Sequence, residues 1–100
     1  NLELDGEGNL WVALPLSNSL LVVGTDTGVQ HTAFRSLSAA QQETTEEFIR
    51  RGESRTPRLE LLTPALWEPL PGLVTGLIVS PDGGPIFLTG LGNALVRLPR

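Results

Sequence analysis

One short stretch of this sequence has residue types and spacing that suit carboxylate chemistry. Asp26, Thr27 and Gly28 follow the apolar run 20–23 after Gly24 and Thr25, so a strand would deliver an acidic side chain into a tight turn. The structural alternative is an ordinary turn at the end of a strand, in which the Asp26 side chain accepts hydrogen bonds from backbone amides. The residues leave both interpretations open, and the turn is the commoner one.

The same stretch resembles the active-site motif of retropepsin-type aspartic proteases. The resemblance implies that Asp26 is catalytic, that Thr27 braces its carboxylate and that Gly28 permits the turn. It also implies a homodimer in which two aspartates share one proton, so that one acts as base and the other as acid. Residues 87–90, Phe-Leu-Thr-Gly, are similar to the later apolar-apolar-x-Gly element of that family.

A second resemblance lies in the turns. Residues 5–12, Asp-Gly-Glu-Gly-Asn-Leu-Trp-Val, resemble the turn-and-strand repeat of bacterial sensor β-propellers, and residues 80–84 are similar to their blade turns. A propeller needs several four-stranded blades, so the resemblance implies at most a fragment of one. The meanders predicted at 1–24 and 73–98 also echo each other, which indicates either a duplicated unit or generic meander composition.

Other groups that could carry chemistry are sparse. His31 is the single histidine and there is no cysteine, which excludes a multi-histidine or thiolate metal site within one chain. Glu43, Glu46 and Glu47 share a helix face, but arginines one turn later make a solvated face the better interpretation. The glycines match no phosphate-binding loop. We therefore predict no metal site and no cofactor.

Composition limits the partners and the setting. The net charge of −4 argues against nucleic acid or an anionic membrane as partner, since both require a basic patch. No apolar run approaches the roughly 20 residues needed to cross a bilayer. One hundred residues suit a single domain, and because the chain starts at Asn1 we interpret it as a fragment or one domain of a larger protein. The compartment is not identified, with the cytoplasm slightly favoured.

The hydrophobic pattern predicts an α+β fold. An antiparallel β-meander sheet of about six or seven strands comes from the two meanders, and one principal helix at about 39–51 packs on it. Ser38 and Gln41 form a capping-box pattern, and Gly52 marks the end of the helix. The predicted inner stripe of the helix is Ala40, Thr44 and Phe48, joined by Leu37.

Three finer expectations accompany this fold. The pairs Glu46–Arg50 and Glu47–Arg51 have favourable helical spacing. Residues 59–62 read as a short strand. The run 73–79 is apolar on both faces, which favours a position inside the sheet.

Binding surfaces are the remaining candidates for function. Trp67, with Leu66 and Leu70 beside it, could anchor a protein partner, because tryptophan is enriched in binding hot spots. Possible free sheet edges at 2–4 and 59–62 would allow pairing with a peptide, or a homodimer by edge-strand pairing. We predict a non-enzymatic sensing, regulatory or protein-interaction domain of a larger bacterial protein. The alternative is the dimeric aspartic protease that uses Asp26, Thr27 and Gly28.

Overall fold

The computed structural model describes residues 1–66, 73–91 and 94–100. Within these ranges the chain has the predicted α+β architecture, with seven antiparallel strands and one α-helix packed on them. Two 3₁₀ helices, Leu59–Leu61 and Pro64–Leu66, follow the α-helix. In chain order the main elements are β1 (Leu2–Leu4), β2 (Asn9–Leu14), β3 (Ser19–Gly24), β4 (Gln30–Arg35), α1 (Ala39–Glu53), β5 (Val74–Val79), β6 (Ile86–Gly90) and β7 (Val96–Leu98).

The strands form two sheets, whereas the sequence pattern suggested one. β1 to β4 form a four-stranded meander and β5 to β7 form a three-stranded meander, each with strands in chain order. The expectation that residues 73–79 lie inside a sheet is wrong, because among the described strands β5 pairs with β6 alone. At the other edge of β5, side-chain oxygens accept hydrogen bonds from the strand's backbone amides. The backbone N–H groups of Val74 and Leu77 donate to the Oδ1 atoms of Asn18 and Asn1, at 2.9 Å and 3.1 Å.

Two segments differ from the predicted strands. The opening meander extends past residue 24 into β4, which pairs with β3 despite its mostly exposed side chains. The expected strand at 59–62 is wrong, because Leu59–Leu61 closes i to i+3 hydrogen bonds as a 3₁₀ helix. Leu59 is 77% exposed, so no covered face holds this segment in an extended conformation.

The core lies between the two sheets. Trp11 of β2 pairs with Val22 of β3, and Ala13 pairs with Leu20. All four side chains point to the same side of the sheet. These four side chains form a single buried cluster with residues of the three-stranded sheet, namely Val74, Leu77, Ile86 and Leu88. Inter-sheet burial of aliphatic and aromatic side chains is therefore the main stabilising contact of the fold.

The first three strands of the larger sheet and the smaller sheet repeat one pattern. Leu4 pairs with Leu10 across β1 and β2 just as Val79 pairs with Ile86 across β5 and β6. In each turn an amide donates to a carbonyl at the start of the next strand, from Asp5 to Asn9 at 2.9 Å and from Ser80 to Pro85 at 3.4 Å.

Each of these two turns also contains a glycine with positive φ, 85° at Gly8 and 81° at Gly83. That backbone conformation favours glycine. Register and turn geometry thus make β1–β2–β3 equivalent to β5–β6–β7. The turn of the smaller sheet contains one additional residue.

The helix α1 begins as predicted. Ser38 accepts a hydrogen bond from the Gln41 amide while the Gln41 side chain accepts from the Ser38 amide, which is the capping box. The predicted inner stripe is wrong at Ala40, which is exposed, while its other members Leu37, Thr44 and Phe48 are half-buried. The buried residues of the helix are Gln41 and Thr45. The Gln41 side chain also donates to the carbonyl of Ala65, which ties the helix to the second 3₁₀ helix.

The helix ends at Glu53, one residue beyond Gly52. Gly52 has a packing role, because a Cβ there would lie 2.0 Å from the Arg58 guanidinium. Arg58 lies over the Phe48 ring at 4.1 Å from its centroid. Of the predicted ion pairs, Glu47–Arg51 forms at 2.9 Å, but Arg50 bonds Glu47 instead of Glu46.

Asp5 organises the end of the molecule where the two sheets meet. Its carboxylate accepts hydrogen bonds from the amides of Glu7 and Asn9, from the Asn9 side chain and from the Trp11 indole, all between 2.8 Å and 3.1 Å. Arg100 approaches this carboxylate at 3.6 Å and donates to the Ser80 carbonyl at 2.9 Å. The arginine therefore joins the Asp5 turn of one sheet to the Ser80 turn of the other.

These contacts determine the ionisation of Asp5. Burial alone would raise the pKa of Asp5, but the hydrogen bonds from Trp11, Asn9 and Glu7 outweigh burial and hold it well below the ordinary value. Because the pKa of Asp5 is lower in the folded than in the unfolded chain, its ionised carboxylate stabilises the fold at pH values above the ordinary carboxyl pKa. That stabilisation is lost progressively as the pH falls towards the folded value.

We predict that Asp5→Asn lowers the free energy of unfolding by about 2 to 4 kcal/mol at neutral pH, because buried donors lose their ionised acceptor. The measurement is chemical unfolding of both proteins across a pH series. Below about pH 4 the difference should narrow, since only the wild type loses the Asp5 contribution there. Glu7→Gln, an exposed change in the same turn, is the control. A difference that is the same at neutral and acid pH would contradict the assignment.

Candidate interaction site

The Asp26, Thr27 and Gly28 stretch forms the turn between β3 and β4. All three residues are exposed, and Gly28 has a φ of 71°. The Gly28 amide donates to the Gly24 carbonyl at 2.8 Å, and the Thr27 hydroxyl accepts from the Val29 amide at 3.2 Å. Within the described chain this geometry is that of a hairpin turn. Residues 87–90 lie on β6 of the other sheet. A pair of Asp26 carboxylates would require two copies meeting at these tips, and the protease stays a prediction.

The proposed Trp67 surface falls mostly outside the described residues. Trp67 and Leu70 belong to segment 67–72, of whose structure nothing is described. Leu66 is buried at the end of the second 3₁₀ helix, so its side chain is not available at the surface. Partner binding by this group therefore stays a prediction.

The other polar candidates do not come together as a site. His31 is exposed on β4. Glu46 accepts from Gln42, whereas Glu47 is occupied by arginines. Hydrogen bonds from Arg51 and Arg50 lower the pKa of Glu47. The part of the chain that the structure describes contains no group of three or more acidic or histidine side chains placed to hold a metal ion.

An organised apolar surface occupies the side of the four-stranded sheet that faces away from the core. Strand pairing forms two rows of side chains across β1, β2 and β3 on this side. One row is Leu2, Val12 and Leu21, and the other is Leu4, Leu10 and Val23. We call these six residues the aliphatic face. None of them belongs to the core cluster, and Leu2 and Leu4 are 60% and 63% exposed. An uninterrupted block of aliphatic side chains thus lies on three neighbouring strands, exposed at Leu2 and Leu4 and half-buried at its other four residues.

The three-stranded sheet also has an open side. Ile78 pairs with Phe87, which pairs with Arg97, and all three point away from the core. Gly76 and Thr89 continue this side, and with Leu95 they border a depression of about 190 Å³. We call Ile78, Phe87, Thr89, Leu95 and Arg97 the Phe87 face. Ile78 is 66% exposed there.

The aliphatic face had a signal in the sequence. The runs 10–14 and 20–23 are apolar at consecutive positions, so each presents apolar side chains to both sides of its sheet. Alternation of Leu2 and Leu4 with Glu3 adds the third strand. Only the structure shows which of the two sides the core covers.

Comparison of the chain with family models, with curated proteins and with solved structures found no match. Among the described residues, no helix has both the length and the apolar character needed to cross a lipid bilayer.

A matched pair of substitutions tests whether residues of the aliphatic face contribute to the stability of the fold as core residues do. Leu2 and Leu77 occupy equivalent positions in the two sheets, yet Leu77 is only 5% exposed. We predict that Leu77→Ala lowers the free energy of unfolding by about 2 to 5 kcal/mol. Leu2→Ala should change it by less than about 0.5 kcal/mol, as at other surface positions. Denaturant unfolding of the isolated chain measures both, and equal losses would show that Leu2 is covered.

Proposed function

We propose that this chain is a non-enzymatic protein-interaction domain and that its contact surface is the aliphatic face of the four-stranded sheet. The observation that supports this proposal is the block of six aliphatic residues on β1, β2 and β3 outside the core. Scattered exposed leucines are normal on protein surfaces, whereas contiguous apolar patches mark interaction sites. Here the patch is contiguous in register over three strands.

The energetic argument concerns the water in contact with this face. Each aliphatic side chain removed from water contributes roughly 1.5 to 3 kcal/mol when fully buried. Leu2 and Leu4, which are more than half exposed, have the most to gain. The edge strand β1 carries both, and its outer backbone groups have no strand neighbour in the described chain. A partner could therefore bury the face and pair with the edge.

The chemistry of the face favours a protein as the partner. None of its six residues is charged or polar, so it offers no group that would bind phosphate. The net charge of −4 also opposes nucleic acids and anionic lipids. A sensing or regulatory role within a larger bacterial protein is compatible with such a surface and forms part of this proposal.

The proposal predicts where a partner can be captured. We expect a photoreactive benzoylphenylalanine at position 4 to cross-link to protein when the chain is irradiated in the cells that produce it. The same group at position 59 is the control, because Leu59 is at least as exposed but lies outside the face. Gel electrophoresis and mass spectrometry of the adducts are the measurements.

The two positions distinguish a specific surface from general stickiness. Adducts of defined mass at position 4, with none at position 59, support the proposal. Equal labelling at both positions, or no protein adduct at position 4, would contradict it. Circular dichroism of both labelled proteins verifies that the fold is retained.

A further inference from the structure

We infer that the partner of the aliphatic face is a second copy of this chain, which contributes its Phe87 face so that the copies stack front to back. This inference rests on the proposed function, because it names the occupant of the same surface. It is supported by the internal packing of the molecule. There the Trp11 side of the larger sheet packs on the Leu77 side of the smaller sheet.

The equivalence of the two meanders determines which faces correspond. Leu2 and Leu4 match Leu77 and Val79, since each pair occupies the same register before the turn. The six residues of the aliphatic face, in the order Leu2, Leu4, Leu10, Val12, Leu21 and Val23, correspond to Leu77, Val79, Ile86, Leu88, Val96 and Leu98. All six counterparts are aliphatic, and all six lie in or against the core.

The opposite faces correspond as well. Phe87 of β6 matches Trp11 of β2, so the open side of the smaller sheet is the counterpart of the covered side of the larger one. Trp11 packs in the core, where it receives the aliphatic residues of the smaller sheet. The internal contact therefore joins the front of one sheet to the back of an equivalent sheet.

Within the part of the chain that the structure describes, this internal contact leaves the aliphatic face and the Phe87 face outside the core. The aliphatic face has the same aliphatic composition as the side of the smaller sheet that packs on Trp11. The Phe87 face occupies the position in the smaller sheet that the Trp11 side occupies in the larger one. A second copy can thus place its Phe87 face on the first copy's aliphatic face in the orientation that the two sheets already use. The depression bordered by Gly76, Ile78 and Phe87 provides space for an aliphatic side chain.

Charge does not oppose this contact. The aliphatic face carries no ionisable group, and the Phe87 face carries one arginine, Arg97, which is exposed on β7. β7 is an edge strand of its sheet. From an edge, the arginine stem can cover apolar surface while its guanidinium stays in water.

The contact between copies should be weaker than the internal one. In the internal contact Arg100 connects the Asp5 and Ser80 turns. The counterpart of Arg100 in the larger sheet is Thr25. Thr25 lies two residues after Val23, and Arg100 lies two residues after Leu98, the counterpart of Val23. Thr25 donates to the Gly8 carbonyl within its own sheet at 2.7 Å. The stacked copies therefore lack this arginine link, and we expect association that depends on concentration.

A front-to-back contact is heterologous, so each copy offers two different surfaces and assembly continues until a ring closes or a filament grows. A symmetric dimer formed by pairing of two β1 edges uses the same surface twice. The two modes give different results when variants are mixed.

The test uses the purified chain with one variant for each face. Leu4→Glu blocks the aliphatic face, Ile78→Glu blocks the Phe87 face, and Leu59→Glu is the matched control at an exposed leucine outside both. Light scattering behind a sizing column measures mass over a concentration series. Thermal unfolding verifies each fold, and Leu4→Ser and Ile78→Ser replace any variant that fails to fold.

We expect the wild type and Leu59→Glu to form assemblies larger than a dimer at high concentration, whereas each face variant alone stays at the 10.7 kDa of one chain. An equimolar mixture of Leu4→Glu and Ile78→Glu should give twice that mass and no more. In the mixture one intact aliphatic face meets one intact Phe87 face.

Three results would overturn the inference. They are a wild type that remains a monomer at its solubility limit, association that Ile78→Glu leaves unchanged, and a mixture of the two variants that stays monomeric although the wild type associates. The cross-link at position 4 separates this inference from the proposed function. An adduct with a different protein would retain the interaction domain and reject the second copy, whereas the absence of any adduct would reject both.

Discussion

The packing of the three-stranded sheet on the Trp11 side of the four-stranded sheet is the contact on which the rest of the structure depends. It buries Leu77, Ile86 and Leu88 against Trp11 and its neighbours, and it is the core of the molecule. Other contacts follow from it. Asn1 and Asn18 can serve the edge of β5 only because the sheets are in contact, and Arg100 reaches the Asp5 carboxylate only at the end where the two turns meet. Loss of this packing would break the hydrogen bonds that Val74 and Leu77 donate to these asparagines and would separate Arg100 from Asp5.

Two stacked sheets have four faces, and their contact covers two of them. Among the described residues the remaining two are the aliphatic face and the Phe87 face, and α1 is joined to the second 3₁₀ helix through Gln41. A sheet that is apolar on both sides usually occurs with cover on both sides. The interaction proposal and the stacking inference both derive from this imbalance. A catalytic role for Asp26 does not derive from it, because Asp26 lies on an exposed hairpin tip.

Local features were predictable from sequence and the arrangement of sheets was not. The capping box at Ser38 and the glycine-rich turns follow from short-range preferences that residue types express directly. Alternation along a strand shows which residues share a side, but it does not show which sheet covers that side. For this reason the pattern predicts about six or seven strands but not their division into two sheets. The role of Gly52 was also out of reach, because Arg58 meets it through tertiary packing.

The two meanders also show how one pattern accommodates different side chains. Trp11 brings an indole N–H into the core, and a buried donor requires an acceptor. Asp5 provides that acceptor at 2.9 Å. At the equivalent positions Phe87 has no donor, and Ser80 replaces the aspartate with a hydroxyl that bonds the Pro85 carbonyl. In this chain the aspartate satisfies the tryptophan N–H, whereas the serine bonds its own turn and the phenylalanine needs no acceptor. Arg100, from the strand end of the other sheet, lies 3.6 Å from this carboxylate and adds an ion pair between the sheets. The difference between the two turns is thus part of what holds the sheets together.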